Sequence, residues 1–149
     1  MNVHIMSRKE IEGFKFTEPS VAICIAYPTG RFHKVTPSDK LLAVHHTRFS
    51  DCDSKGVRCF PKQDVEQEET MPMRRGQAVD IVDFVEMWRW KVKELYIACY
   101  GGISRSTGVG AGLCNVYGWD AKECYTGIRV PNMHCKHLVS IEGFWGVRR

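Results

Sequence analysis

The chain has 149 residues, of which 44% are hydrophobic and 26% are charged, and its formal net charge is +4. These values are ordinary for a globular protein and predict one domain over residues 1–149. The mild positive charge suits an anionic ligand but is far from that of a nucleic-acid-binding tail. No run of about 18 apolar residues is present, so no membrane partner is expected.

The seven cysteines are odd in number and have no paired Cys-x-x-Cys spacing. The first ten residues lack the apolar core of a signal peptide. Both features predict a reducing, cytoplasmic location with free thiols. A zinc site could be drawn from Cys52, Cys59, His45 and His46, but their spacing matches no structural zinc pattern. No metal or other cofactor is therefore predicted.

The first elements of the chain are two predicted strands joined by a short helix. Residues Asn2–Met6 form a short apolar strand candidate. Ser7 and Glu10 have the spacing of a capping box, which predicts a helix that ends near Gly13. The run Ser20–Ala26 is continuously apolar and rich in β-branched residues, so it is predicted as a central strand buried on both faces.

A third strand is predicted over Leu41–Phe49, after a loop in which His33 and Lys34 are expected to be solvated. Two aspartates, Asp51 and Asp53, follow this strand directly. This position should bring a loop side chain over the top of the sheet, where it would be a candidate for a functional role. The alternative is that both aspartates are ordinary turn residues or caps.

The middle of the chain is predicted as a surface loop and then a helix. Residues 54–73 contain two prolines and an acidic string that includes Asp64, which is typical of an exposed loop. Apolar residues recur at helical spacing over Met73–Lys93. This helix would return the chain to a parallel strand over Leu95–Ala98. Two further helices are predicted, a short one from Trp119 and a last one from Pro131 to about Glu142.

Between the strand Leu95–Ala98 and a helix that starts near Ser106 lies a turn with Cys99 at its beginning and Arg105 at its end. A loop that enters a helix N-terminus points backbone N–H groups at a common centre and binds an anion. The Arg105 guanidinium suits two oxygens of one phosphate. The same donors would stabilise a Cys99 thiolate. The alternative, an inert core thiol, leaves Arg105 at an apolar junction unexplained.

This stretch resembles the Cys-x5-Arg-Ser/Thr signature loop of cysteine-dependent protein tyrosine phosphatases, and in particular the loop of small dual-specificity-like phosphatases of microbial and phage type. The match runs over Cys99-Tyr100-Gly101-Gly102-Ile103-Ser104-Arg105-Ser106. One residue departs from the family pattern, since the position before the cysteine is usually histidine and is Ala98 here. The resemblance implies an α/β fold in which a parallel or mixed central sheet is flanked by helices and the Cys-x5-Arg loop joins a strand to a helix.

The resemblance also implies roles for individual residues. Cys99 would attack phosphorus and form a phosphocysteine, and Ser106 would help the thiolate to leave. Arg105 would hold the phosphate oxygens together with the loop residues Tyr100, Gly101, Gly102, Ile103 and Ser104. The general acid would be Asp51 as first choice, Asp53 as second and Asp64 as third.

The implied substrate is a phosphorylated protein or peptide, carrying phosphotyrosine or phosphoserine and phosphothreonine, with phosphate or another oxyanion held in the loop. Tyr100 and Ile103 stand where lysines would suit a highly charged inositol phosphate, which disfavours that class. An RNA 5′-phosphate remains open. Two rival functions remain as well, a pseudophosphatase that binds phosphate without turnover and a rhodanese-like sulfur carrier.

Overall fold

The computed structural model describes residues 1–59 and 70–148. Its sheet has four strands, all parallel, in the order β1-β4-β2-β3. The strands are β1 (Asn2–Met6), β2 (Ser20–Ala26), β3 (Leu41–Arg48) and β4 (Glu94–Ala98). The predicted α/β class is therefore confirmed, and the sheet is parallel rather than mixed.

The helices of the described chain are α1 (Arg8–Glu12), α2 (Arg75–Trp88), α3 (Arg105–Tyr117) and α4 (Met133–Arg148), with a 3-10 turn at Lys122–Tyr125. Helix α2 is shorter than predicted because the Trp88 carbonyl accepts from Lys91 N, which tightens the chain into a turn. Helix α4 runs past its predicted end at Glu142. Gly143 lies within the helix, and a Cβ there would lie 2.4 Å from the Val116 side chain. Glycine at this position allows α3 and α4 to pack closely.

The core lies on both sides of β2, whose seven residues are all buried, as the apolar run predicts. On one face of the sheet the strands pack against α2, α3 and α4. On the other face, Ala22, Cys24 and Ala98 pack against Ile11 of α1 and the nearby Phe16. Helices on both faces are the arrangement expected of a parallel sheet.

The capping box at the start of α1 is confirmed. The Ser7 hydroxyl accepts from Glu10 N at 3.1 Å, and the Glu10 carboxylate accepts from Ser7 N at 3.0 Å. This junction lies at the carboxyl end of β1, and β1 is paired with β4. Arg8 N donates to the Tyr100 carbonyl at 3.1 Å, so the start of α1 contacts the loop that follows β4.

Three further sequence expectations concern the rest of the chain. In the parts that the structure describes, no helix has both the length and the apolarity needed to cross a lipid bilayer. Asp64 and the rest of the acidic string lie outside the described residues. None of the seven cysteines is in a disulfide.

Candidate active site

The loop between β4 and α3 lies at the carboxyl edge of the sheet and is called the signature loop below (residues 99–105). Cys99 and Arg105 are both only 2% exposed. Gly102 has φ +66°, and a Cβ there would lie 2.8 Å from the backbone of Met6 and Ser7. Only glycine fits a left-handed residue pressed against another backbone segment. The β1–α1 junction therefore closes one side of the loop.

The environment of Cys99 favours its thiolate. Burial raises the pKa of the thiol. Four groups oppose this effect and together outweigh it, so that the pKa is below the ordinary value: the Arg105 guanidinium, the Ser106 hydroxyl and the backbone N–H groups of Ser106 and Gly102. The Ser106 Oγ lies 3.2 Å from the Cys99 Sγ. These donors surround the sulfur in the way that activates a cysteine nucleophile.

Two contacts with residues that directly follow β3 and β2 fix the Arg105 guanidinium. Its Nη1 donates to the Phe49 carbonyl at 3.0 Å, just after β3. Its Cζ lies 4.3 Å from the centre of the Tyr27 ring, just after β2. The guanidinium plane is thereby held without a carboxylate partner among the described residues. Tyr27 was not singled out from the sequence, where its position directly after a buried strand was the only signal.

Asp51 lies against the signature loop and is only 6% exposed. Its Oδ1 accepts from the Ser104 hydroxyl at 2.7 Å and from the Asn132 Nδ2 at 2.9 Å. Its Oδ2 is buried and has no hydrogen-bond partner among the described residues. The structure thus brings together the loop after β3 and the signature loop, although β2 lies between β3 and β4 in the sheet.

Asn132 connects three parts of the site and was missed as a functional candidate. Besides the bond to Asp51, its Nδ2 donates to the Cys52 carbonyl at 3.2 Å and its backbone N–H donates to the Ser104 carbonyl at 2.9 Å. Its Oδ1 accepts from Cys135 N at 3.1 Å, which caps the start of α4. The predicted helix start at Pro131-Asn132 was the signal for this cap, but it could not indicate the partners.

Asp53 lies in a turn of its own. Its Oδ1 accepts from the backbone N–H groups of Lys55 and Val57, both at 2.9 Å. The bond from Val57 is the main reason that the pKa of Asp53 lies below its ordinary value. This is the turn geometry that aspartate commonly adopts in loops. Asp64, the third candidate acid, lies outside the described residues.

Arg129 holds the outer side of the signature loop and was also missed. Its Nε donates to the Gly102 carbonyl at 3.3 Å, its Nη2 to the Ile5 carbonyl at 3.0 Å and its Nη1 to the Glu123 carbonyl at 3.0 Å. One side chain therefore ties the loop to β1 and to the 3-10 turn. Nothing in the local sequence distinguishes this arginine from a surface residue.

Three histidines considered in the sequence analysis, His33, His45 and His46, are at least partly buried in the structure. His33, predicted to be solvated, is only 4% exposed. That prediction was wrong because the loop folds back onto α1. His45 and His46 are successive residues of β3, and their rings contact Phe84 and Phe32 respectively. No three metal-binding side chains converge within residues 1–59 and 70–148.

Comparisons with known proteins bear on the fold. No family model and no curated protein matches the chain. Among solved structures, it is similar to Tk-PTP in its active form, with 16% identity over 80% of this chain and 78% of that one and a TM-score of 0.45. It is also similar to PTPMT1, with 16% identity, coverage of 89% and 82%, and a TM-score of 0.45.

A structure of PTPMT1 in complex with PI(5)P is similar at 16% identity, coverage of 87% and 79%, and a TM-score of 0.44. At this level of identity, the activity of the present chain has to be inferred from its own side chains.

Proposed function

We propose that this protein is a cysteine-dependent phosphatase that hydrolyses phosphate monoesters through a phosphocysteine intermediate. The observation that carries the proposal is the surroundings of Cys99: a buried thiol of lowered pKa, 3.2 Å from the Ser106 hydroxyl and beside the Arg105 guanidinium. A packing cysteine does not need such donors. A phosphate bound above this sulfur would be met by positive charge and backbone N–H groups.

In the first chemical step, the Cys99 thiolate forms a bond to phosphorus as the bond from phosphorus to the leaving oxygen breaks. Arg105 and the loop N–H groups hold the three equatorial oxygens, where charge develops. An aspartic acid gives its proton to the leaving oxygen. Water then attacks phosphorus and the S–P bond breaks, with the aspartate taking the proton from water. The Ser106 hydroxyl stabilises the departing thiolate.

Asp51 is the better candidate for the acid. It is buried beside Ser104 of the signature loop, and one of its oxygens has no partner among the described residues. Asp53 is held in its turn by two backbone N–H groups, which keep it ionised and poorly suited to donate a proton. In this proposal the substrate is a phosphorylated protein or peptide that carries phosphotyrosine, phosphoserine or phosphothreonine.

Incubation with p-nitrophenyl phosphate, with and without vanadate and in the presence of EDTA, tests the function. A cysteine-dependent phosphatase releases nitrophenolate, is blocked by vanadate and is insensitive to EDTA. A pseudophosphatase would bind vanadate, seen as a rise in Tm, without releasing nitrophenolate. A sulfur carrier would do neither. Absence of vanadate-sensitive release from the purified protein would contradict the proposal.

The Asp51→Asn variant tests the acid. The amide oxygen can still accept from Ser104 and Asn132, so the anchor is kept while the proton donor is lost. Phosphoserine peptide hydrolysis should fall on the order of 100-fold or more, because a general acid matters most for a poor leaving group. Hydrolysis of p-nitrophenyl phosphate should fall far less. Activity should no longer decline at high pH, since that decline reports loss of the acid's proton.

The matched control for this experiment is Asp53→Asn. It should weaken the turn at Asp53 but leave both the ratio of the two substrates and the pH profile unchanged. If Asp53→Asn changes them and Asp51→Asn does not, the acid is Asp53. If neither variant changes them, the acid lies elsewhere, with Asp64 the next residue to test, or the reaction proceeds without one.

A further inference from the structure

His33 lies in the connection between β2 and β3 and reaches the start of the signature loop. Its Nε2 is 3.5 Å from the backbone carbonyl oxygen of Cys99. A carbonyl can only accept, so a hydrogen bond here requires the proton on Nε2. Its Nδ1 is buried without a hydrogen-bond partner among the described residues. Among the described residues, the buried His33 ring therefore makes its side-chain hydrogen bond to the Cys99 carbonyl.

Residues 31–36, called the strap below, hold His33 in this position. Glu12 of α1 accepts from Arg31 Nη1 at 2.7 Å and from Arg31 Nη2 at 3.1 Å. Its Oε2 also accepts from Lys34 N at 2.6 Å, and its carbonyl accepts from the Thr36 hydroxyl at 3.3 Å. Glu12 thus binds the strap on both sides of His33. Such fixing from both sides orients the ring toward the loop.

Burial and the neighbouring charge of Arg8 keep the His33 imidazole neutral. Arg8 and Glu12 of α1 and His46 of β3 are the titratable groups that face it. Burial, and then the charge of Arg8, lower its pKa to about 4. The ring is a neutral donor at physiological pH, and its removal changes a hydrogen bond without changing the net charge near Cys99.

We propose that His33 is a positioning residue for the nucleophile, acting by donating a hydrogen bond to the Cys99 carbonyl. In a trans peptide, the carbonyl of Cys99 and the N–H of Tyr100 point in opposite directions. Holding the carbonyl toward His33 therefore holds the Tyr100 N–H away from it, as a loop donor for the phosphate. Ala98, directly before the nucleophile, has no side-chain donor for this purpose. The inference rests on the proposed function.

The test compares His33→Leu with His33→Gln, because leucine fills the buried volume without a donor and glutamine supplies an amide donor. In His33→Leu, the pKa of Cys99, measured from the rate of iodoacetamide alkylation against pH, should rise by about one unit, and kcat for p-nitrophenyl phosphate should fall about tenfold, the effect of one lost hydrogen bond. His33→Gln should restore most of both quantities.

His45→Leu is the matched control, since His45 is a half-buried histidine whose pKa is likewise lowered by burial, but it packs on Phe84. It should lower Tm without moving the pKa of Cys99. The proposal is overturned if His33→Leu lowers Tm alone, or if His33→Gln behaves like His33→Leu. A wild-type protein inert toward p-nitrophenyl phosphate would overturn the phosphatase proposal, whereas the alkylation series would still decide the role of His33.

Discussion

Replacing Cys99 by serine is expected to abolish turnover while preserving the binding of phosphate or vanadate. In the proposed function the oxyanion is held by Arg105 and the loop N–H groups, and the substitution changes none of these. A neutral hydroxyl in place of the thiolate also removes a negative charge from beneath the phosphate. We expect kcat to fall on the order of 10⁴-fold or more, as for other essential nucleophiles. Calorimetric titration with inorganic phosphate would measure the binding that remains.

The matched control for this variant is Cys24→Ser. Cys24 is a fully buried thiol of β2, and burial raises its pKa to about 12. Serine at this position should lower the free energy of unfolding, because a hydroxyl replaces a packed thiol, but kcat should stay near that of the wild type. Activity of Cys99→Ser within tenfold of the wild type would show that Cys99 is not the nucleophile.

The pH dependence of the wild type follows from the same thiolate. The proposed reaction requires Cys99 to be deprotonated, so activity should be lost as the pH falls through the pKa of Cys99. Because that pKa is below the ordinary value, full activity should persist at pH values where a normal thiol is mostly protonated. The rate of alkylation should show Cys99 reacting at lower pH than Cys24.

The Arg105→Lys variant is expected to lose most activity even though it keeps the positive charge. The ammonium group is a point charge and cannot present two parallel donors to a phosphate. It also cannot reproduce the planar contact with the Tyr27 ring while donating to the Phe49 carbonyl. We expect kcat/KM to fall on the order of 100- to 1000-fold, the range found when an oxyanion donor is removed. Phosphate affinity should fall in parallel.

Arg48→Lys is the matched control for Arg105. The Arg48 guanidinium lies 3.7 Å from the centre of the Phe32 ring and donates to the Gly30 carbonyl at 3.0 Å, so it makes the same two kinds of contact away from the signature loop. Lysine there should leave kcat/KM close to the wild-type value. A normally active Arg105→Lys variant would mean that the proposed geometry of phosphate binding is wrong.

Local sequence determined much of this protein. The capping box at Ser7, the fully buried strand Ser20–Ala26 and the junction of strand and helix around Cys99 all follow from residues within a few positions of one another. Hydrophobic spacing, caps and glycine conformations act over such short distances. Cys99 and Arg105 could likewise be predicted as candidate site residues from local sequence, because only five residues separate them.

The tertiary structure decided which distant residues support that loop. Asn132 reaches Asp51 across 81 positions, and His33 reaches Cys99 across 66. Such contacts depend on which strands are neighbours and on where each connection folds back. Local propensities do not encode this, since the pairing of β1 with β4 and of β4 with β2 is a choice among non-local alternatives. For this reason the sequence predicted His33 as solvated, whereas the packing of the strap on α1 buries it beside Cys99.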